Sequence, residues 1–326
     1  MKDRVMIISH SYNVSENFKN IVQLSKFINI LVIAPNSTIK ERFDNANEIQ
    51  NSDHIRYLPS WKIKGTQYLL KPFVFDILQF KPDIVNIEYD LWSPITIETV
   101  ILLKIFRPSA KIILSIKKNT FILSSFKSKI KKKLADKVVQ NIDGIISASK
   151  IASTLYRDFL GYKQIPIYEC IHLGVDRYIF NGKFKNKPKE FTMVFIGQIR
   201  ERKGILDLIH AMKIINNSNN LAKLLIVGDG PLKKYIVNLQ EKYSWIEFCG
   251  AVKHKEIPKY LSRSSALFFA IKNTADHQEH DAHVLMEAMS FGLPCITTNS
   301  GVISDLTKGS NILVSKVSPN RWTENR

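Results

Sequence analysis

The chain has 326 residues, 45% of them hydrophobic, and its 47 Lys and Arg against 29 Asp and Glu give a formal net charge of +18. That is enough apolar sequence for two cores, which excludes a disordered tail and a disulfide-stapled miniature domain. The charge favours anionic ligands, nucleic acid or an anionic membrane surface, without choosing among them.

At the N-terminus, "MKDRVMIISHSYN" reads as one short strand and lacks the apolar core and cleavage site of a signal peptide. No apolar run approaches membrane-spanning length, so a soluble cytoplasmic protein is expected. Short β-branched runs follow between helical patterns: "RVMIIS", "NILVIAP", "DIVNIE", "KIILSI" and "GIISAS". This alternation predicts βα units and a parallel sheet. "FKSKIKKKLADKVVQNID" from Phe126 places Phe126, Ile130, Leu134 and Val138 on one stripe with lysines elsewhere. That is either an amphipathic helix with a solvated basic face or one that docks on anionic headgroups.

A polar, basic stretch, "RYIFNGKFKNKPKEF", reads as a linker. The expected division is residues 1–178, a linker at 179–190, and 191–326. The second half repeats the scheme with "TMVFIG", "KLLIVG", "IEFCG", "ALFFAI" and "PCITT". The fold class is therefore α/β, with two doubly wound domains facing a cleft. Cys170, Cys249 and Cys295 are odd in number, far apart and set among apolar neighbours, which predicts buried thiols in a reducing compartment.

Ligands of open α/β sheets sit beyond the carboxyl ends of the strands, and the turns there in the second half are rich in small and basic residues. Gly197 and Gly204 bracket "QIRERK", where Arg200, Arg202 and Lys203 bring positive charge to a helix start marked by Ile205, Leu208, Ile209 and Met212. This combination suits a phosphate. Gly228 and Gly230 permit a tight turn, Pro231 fits the first turn of the next helix, and Gly250 ends the following strand. In "QEHDAHVLMEAMSFGLPCITT", Asp281 is the expected N-cap, Val284, Leu285, Ala288 and Met289 the buried stripe, and Gly292 the stop. Glu279 precedes this helix and Glu287 lies on its second turn. The two carboxylates either accept hydroxyls of a glycosylated nucleotide or are solvated charges near a helix start.

"LGVDRYIF", "GQIRERKG", "LLIVGDGPL" and the paired glutamates, in this order, resemble retaining glycosyltransferases of the GT-B fold, specifically glycosyltransferase family 4. The likeness covers nearly the whole chain and is strongest from Gly174 to Val314. It implies two Rossmann-like domains and transfer of a hexosyl or related sugar from a nucleotide-sugar to a glycan or lipid-linked acceptor, with anomeric configuration kept. By this resemblance Lys203, Arg202 and the amides near Gly197 and Gly204 hold the diphosphate, while Gly228, Gly230, Pro231 and Gly250 border the base. Glu287 takes the ribose hydroxyls, and Glu279 and Ala282 lie at the transferred sugar. No metal or other cofactor is implied.

The chain departs from the family pattern at Gln198, where arginine is usual, and at His280, Asp281 and Ala282, which replace Gly-Phe-Gly. The glycine-rich loop after the first strand is absent. His10, Glu88 in "IEYDLWSP" and Asn119 after "KIILSI" are the acceptor-side candidates, each with a structural alternative as a cap, turn or exposed polar residue. Relatives continue past "NILVSKVSP" with further helices, so weakened domain coupling or activity is expected. A degenerate member that binds a nucleotide-sugar or partner without turnover is the rival reading. No nucleic-acid-binding motif appears. Nor is there a GxGxxG after the first strand, which argues against a dinucleotide-dependent oxidoreductase.

Overall fold

A computed structural model describes residues 2–13, 15–36, 53–64, 67–116, 126–161, 165–170, 174–181, 188–217, 222–272, 282–298, 300–307 and 313–315. The chain forms two compact units, Met1–Cys170 and Ile171–Arg326. The second therefore begins ahead of the expected boundary at 178. The cause is packing, because Phe180, within the expected linker, is 2% exposed and sits with Val175 and Ile179 in the second unit's core.

In the first unit, strands β1 (Arg4–Ile8), β2 (Asn29–Pro35), β3 (Ile55–Leu58), β6 (Ile84–Ile87), β7 (Lys111–Ile116), β8 (Gly144–Ser147) and β9 (Ile167–Glu169) form one sheet, ordered β3-β2-β1-β6-β7-β8-β9. All its pairings are parallel. Strands β4 (Ser60–Lys64) and β5 (Gln67–Leu70) make a separate antiparallel hairpin. Helix Ser15–Leu24 covers one face of the sheet, where Ile21 packs with Ile7 and Val32. Helices Val74–Phe80, Pro94–Phe106, Phe126–Val139 and Lys150–Leu160 contribute to the larger core on the other face.

Helix Pro94–Phe106 starts where its sequence directs. Ser93 is extended, accepts the Thr96 N–H at 3.2 Å, and is followed by proline at the first helical position. Helix Phe126–Val139 differs from the expected stripe. Ala135, Val138 and Val139 are buried and Leu134 is half-buried, whereas Ile130 is 48% exposed. The helix is turned so that Lys131 reaches inward, its ammonium 5.1 Å from the Trp92 ring centre. Lys132 bonds the Phe159 carbonyl and lies over the Phe159 ring. Lysine stems can cover aromatic surface while keeping the charge at its edge.

The second unit is a six-stranded sheet of β10 (Phe191–Ile196), β11 (Ala222–Val227), β12 (Ile246–Gly250), β13 (Ala266–Phe269), β14 (Cys295–Thr298) and β15 (Leu313–Ser315). Its order is β12-β11-β10-β13-β14-β15, again all parallel. Helices Ile205–Asn217 and Lys233–Lys242 bury Ile205, Leu208, Ile209, Met212 and Ile236 on one face. Helices Ile257–Leu261, His283–Ser290 and Ile303–Thr307 cover the other. Each sheet reverses strand order beside its first strand, between β1 and β6 and between β10 and β13. Such a reversal opens a crevice at the carboxyl ends.

The cysteine expectation needs correction. Cys295 is buried, Cys249 is half-buried and Cys170 is exposed, because it follows β9, the edge strand whose last two residues face solvent. Burial pushes the Cys295 thiol up to about 12. Burial, then the Glu247 carboxylate, pushes Cys249 up to about 11.

Candidate functional site

The turns beyond β10, β11 and β12 are joined by backbone hydrogen bonds that continue the sheet past its strands. The Gly197 N–H donates to the Val227 carbonyl at 2.9 Å, Gly228 N–H to Gly250 at 2.8 Å, and Ile199 N–H to Asp229 at 2.9 Å. Gly228 has φ 143°, and a Cβ there would stand 1.9 Å from the Gly197 carbonyl oxygen. A Cβ at Gly230 would stand 2.5 Å from the Ile199 carbonyl oxygen. Both positions thus require glycine for close backbone approach. Pro231 is exposed in the turn before the helix, which starts at Lys233 rather than at Pro231, because Gly230 and Lys233 close a turn of their own at 3.0 Å.

After Gly197, Gln198 and Arg200 are exposed, and Glu201–Lys203 forms one 3-10 turn closed by Gly204 at φ 75°. A Cβ on Gly204 would meet the Ala270 carbonyl oxygen at 2.2 Å, so this turn is pressed onto the end of β13. The Lys272 N–H donates to the Arg202 carbonyl at 2.9 Å and strengthens the contact. Lys203 holds its ammonium 5.7 Å from the Phe269 ring centre. Two cationic side chains and the start of helix Ile205–Asn217 are thereby gathered at the β10–β13 reversal. Such an arrangement attracts an anion through charge and the positive end of the helix dipole.

Glu287 lies in helix His283–Ser290 and is 4% exposed. Its Oε1 lies 2.6 Å from His254 Nε2, while its buried Oε2 has no hydrogen-bond partner among the described residues. A buried carboxylate oxygen left unsatisfied is costly, and a ligand hydroxyl is a fitting donor. His254 opens a 3-10 turn beyond β12 and packs its ring 5.2 Å from that of Phe180. The sequence reading missed His254. The available signal was its position four residues after Gly250, but nothing local ties it to a carboxylate 33 residues away.

Ala282 occupies the N-cap position expected for Asp281, is fully buried, and has φ −114° and ψ 40°. Its φ is negative, so the backbone there does not use the left-handed region that favours glycine. Leu285 and Ala288 are buried as expected, and Val284 and Met289 are half-buried. Gly292, at φ 66°, follows the helix end. Glu279, His280, Asp281 and Asn119 lie outside the described residues.

In the first unit, Glu88 is held by the strand ends. Ser9 Oγ donates to one oxygen at 3.0 Å, and Tyr12 O–H donates to the other at 3.0 Å. Burial, then the Glu88 charge, drives the Tyr12 phenol far above its usual range. His10 packs its ring 5.2 Å from that of Tyr89. Trp92 is 5% exposed and stacks on Tyr156 at 6.3 Å.

Residues 177–324 match the family model for glycosyl transferases group 1. An uncharacterised glycosyltransferase of Methanocaldococcus jannaschii is 28% identical over 252 residues, covering 73% of this chain and 59% of the relative. The N-acetyl-alpha-D-glucosaminyl L-malate synthase of Bacillus anthracis is 28% identical over 145 residues, 43% of this chain and 35% of that protein. The chain thus spans less than two thirds of these curated relatives. The crystal structure of Anabaena HepE in complex with UDP superposes with a TM-score of 0.66 at 15% identity, covering 97% of this chain and 86% of that one. The two parallel sheets with their strand-order reversals are the architecture of GT-B proteins, and residues 177–324, the greater part of the second unit, are similar to glycosyl transferases group 1.

Proposed function

We propose that this protein is a cytoplasmic glycosyltransferase of family 4 that moves a sugar from a nucleotide-sugar to a glycan or lipid-linked acceptor, retaining the anomeric configuration. The observation that carries the reading is Glu287, a buried carboxylate with one oxygen against His254 and the other unsatisfied among the described residues. The ribose hydroxyls donate to that second oxygen. Lys203, Arg202 and the amides at the start of helix Ile205–Asn217 take the diphosphate and stabilise its charge as it leaves, so the reaction needs no metal. The Gly197 and Gly204 amides are engaged with the Val227 and Glu201 carbonyls, so the diphosphate falls to the side chains and the helix start; the turns at Gly228, Gly230, Pro231 and Gly250 border the base, and Glu279 and Ala282 lie at the transferred sugar. The curated relative named as an N-acetylglucosaminyl malate synthase supports a sugar-transfer reading, and the UDP complex of the HepE neighbour supports a uridine diphosphate donor.

The test is a thermal-shift panel of nucleoside diphosphates and their sugars, followed by product analysis with the donor that binds. Stabilisation by one diphosphate-sugar, and release of the diphosphate dependent on acceptor, is the expected result. No stabilisation by any member of the panel overturns the reading.

A further inference from the structure

Three neighbouring helices of the first unit present an unusual outer surface. Helix Val74–Phe80 packs on Pro94–Phe106, which packs on Phe126–Val139. All three bury one side into the same core through Ile77, Leu103 and Val138. On the opposite side, helical spacing puts Phe75 beside Leu78, Ile101 beside Ile105, and Lys129 beside Lys133. Phe75 is 70% exposed, Leu78 50%, Ile101 53% and Ile105 64%, and both lysines are exposed. Helix Pro94–Phe106 is thus apolar on its solvent side as well as its core side. A helix apolar all round normally has both sides covered.

We infer that this outer face docks on an anionic lipid surface, with the apolar residues of the first two helices entering the headgroup boundary and Lys129 and Lys133 of the third contacting lipid phosphates. Charge complementarity selects this occupant. Helix Phe126–Val139 carries six lysines and one aspartate in a chain of net charge +18. Lys131 lies over Trp92 and Lys132 at Phe159, while Lys129 and Lys133 are exposed and four residues apart, on the side of the helix away from Ala135 and Val138. Apolar insertion beside a basic strip is the pattern of interfacial binding, whereas lysine is depleted where proteins bury surface against each other. The inference needs no nucleotide-sugar and stands apart from the proposed chemistry.

The test uses the full chain with vesicles of phosphatidylcholine alone and of phosphatidylcholine mixed with phosphatidylglycerol. Co-sedimentation with the mixed vesicles only, weakened by salt, is expected. Lys129→Glu with Lys133→Glu, and separately Phe75→Ser with Ile105→Ser, should each weaken it by about tenfold or more at unchanged melting temperature. Failure of the wild type to sediment overturns the inference, as does binding by both variants equal to that of the wild type. A dimer seen by light scattering and abolished by Phe75→Ser with Ile105→Ser assigns the face to a second copy and overturns it equally.

Discussion

His254 Nε2 stands 2.6 Å from Oε1 of Glu287, and the two side chains come from opposite ends of the second unit's helical connections, one beyond β12 and one between β13 and β14. Phe180 packs on the histidine ring and on Phe291, so an aromatic wedge holds the pair in register. His254 is therefore a positioning residue for Glu287. Replacing it by alanine should raise the donor KM about tenfold while kcat changes less, since a hydrogen bond to a charged group contributes about 1.5–3 kcal/mol. His254→Gln, which retains a donor, should recover part of the loss. Steady-state kinetics at varied donor concentration reads the split.

Glu287→Gln keeps the shape of the side chain and removes its charge. Donor affinity should fall by about ten- to a hundredfold with the fold intact, because the amide offers only one acceptor oxygen. Isothermal titration with the nucleoside diphosphate and its sugar measures it, beside circular dichroism of both proteins.

Lys203→Ala should weaken the diphosphate alone as much as the diphosphate-sugar, since its proposed partner is the phosphate. A loss of about tenfold in both, growing smaller at high salt, is expected. An effect confined to the sugar moiety contradicts the assignment.

Gly228→Ala tests the backbone contact. Its Cβ would lie 1.9 Å from the Gly197 carbonyl oxygen, at a φ of 143° that side chains avoid. Destabilisation by about 2 kcal/mol or more is expected from chemical denaturation, from the strained conformation and the displaced turn together.

Asp83 should set part of the acid limit of the first unit. Its hydrogen bond from the Arg4 side chain, followed by one from the Arg4 backbone, lowers its pKa to about 2 from an ordinary 3.8. A depressed folded-state pKa means that stability is present above the ordinary value and is lost as pH falls through the folded one. The loss attributable to this pair should therefore fall between about pH 4 and pH 2 and be absent from Asp83→Asn in acid titrations of stability. Equal pH profiles for the two proteins refute the assignment.

The ten strands that announced themselves in the sequence did so through mainly apolar or β-branched runs, as in Val5 to Ile8 and Leu224 to Val227. Those it did not announce are short and peripheral: β3, β9 and β15 at sheet edges, and the hairpin of β4 and β5. Only part of an edge strand's side chains face the core, so its composition carries a weak signal. The glycine turns were legible because close backbone approach leaves a mark at a fixed offset from each strand. The partner of Glu287 was not, since the pairing depends on how Phe180 and two separate helical connections pack. The basic helix was misphased for a related reason: Lys131 is directed inward by Trp92, an aromatic ring in another segment.

The backbone bonds linking the turns after β10, β11 and β12 have a kinetic consequence. They secure the amides of Gly197, Ile199 and Gly228 as firmly as those inside the strands, so these amides should exchange with deuterium on the timescale of the sheet interior, not that of ordinary turns. A floor that opens only when the sheet opens selects its guest by shape, with little accommodation from the backbone beneath.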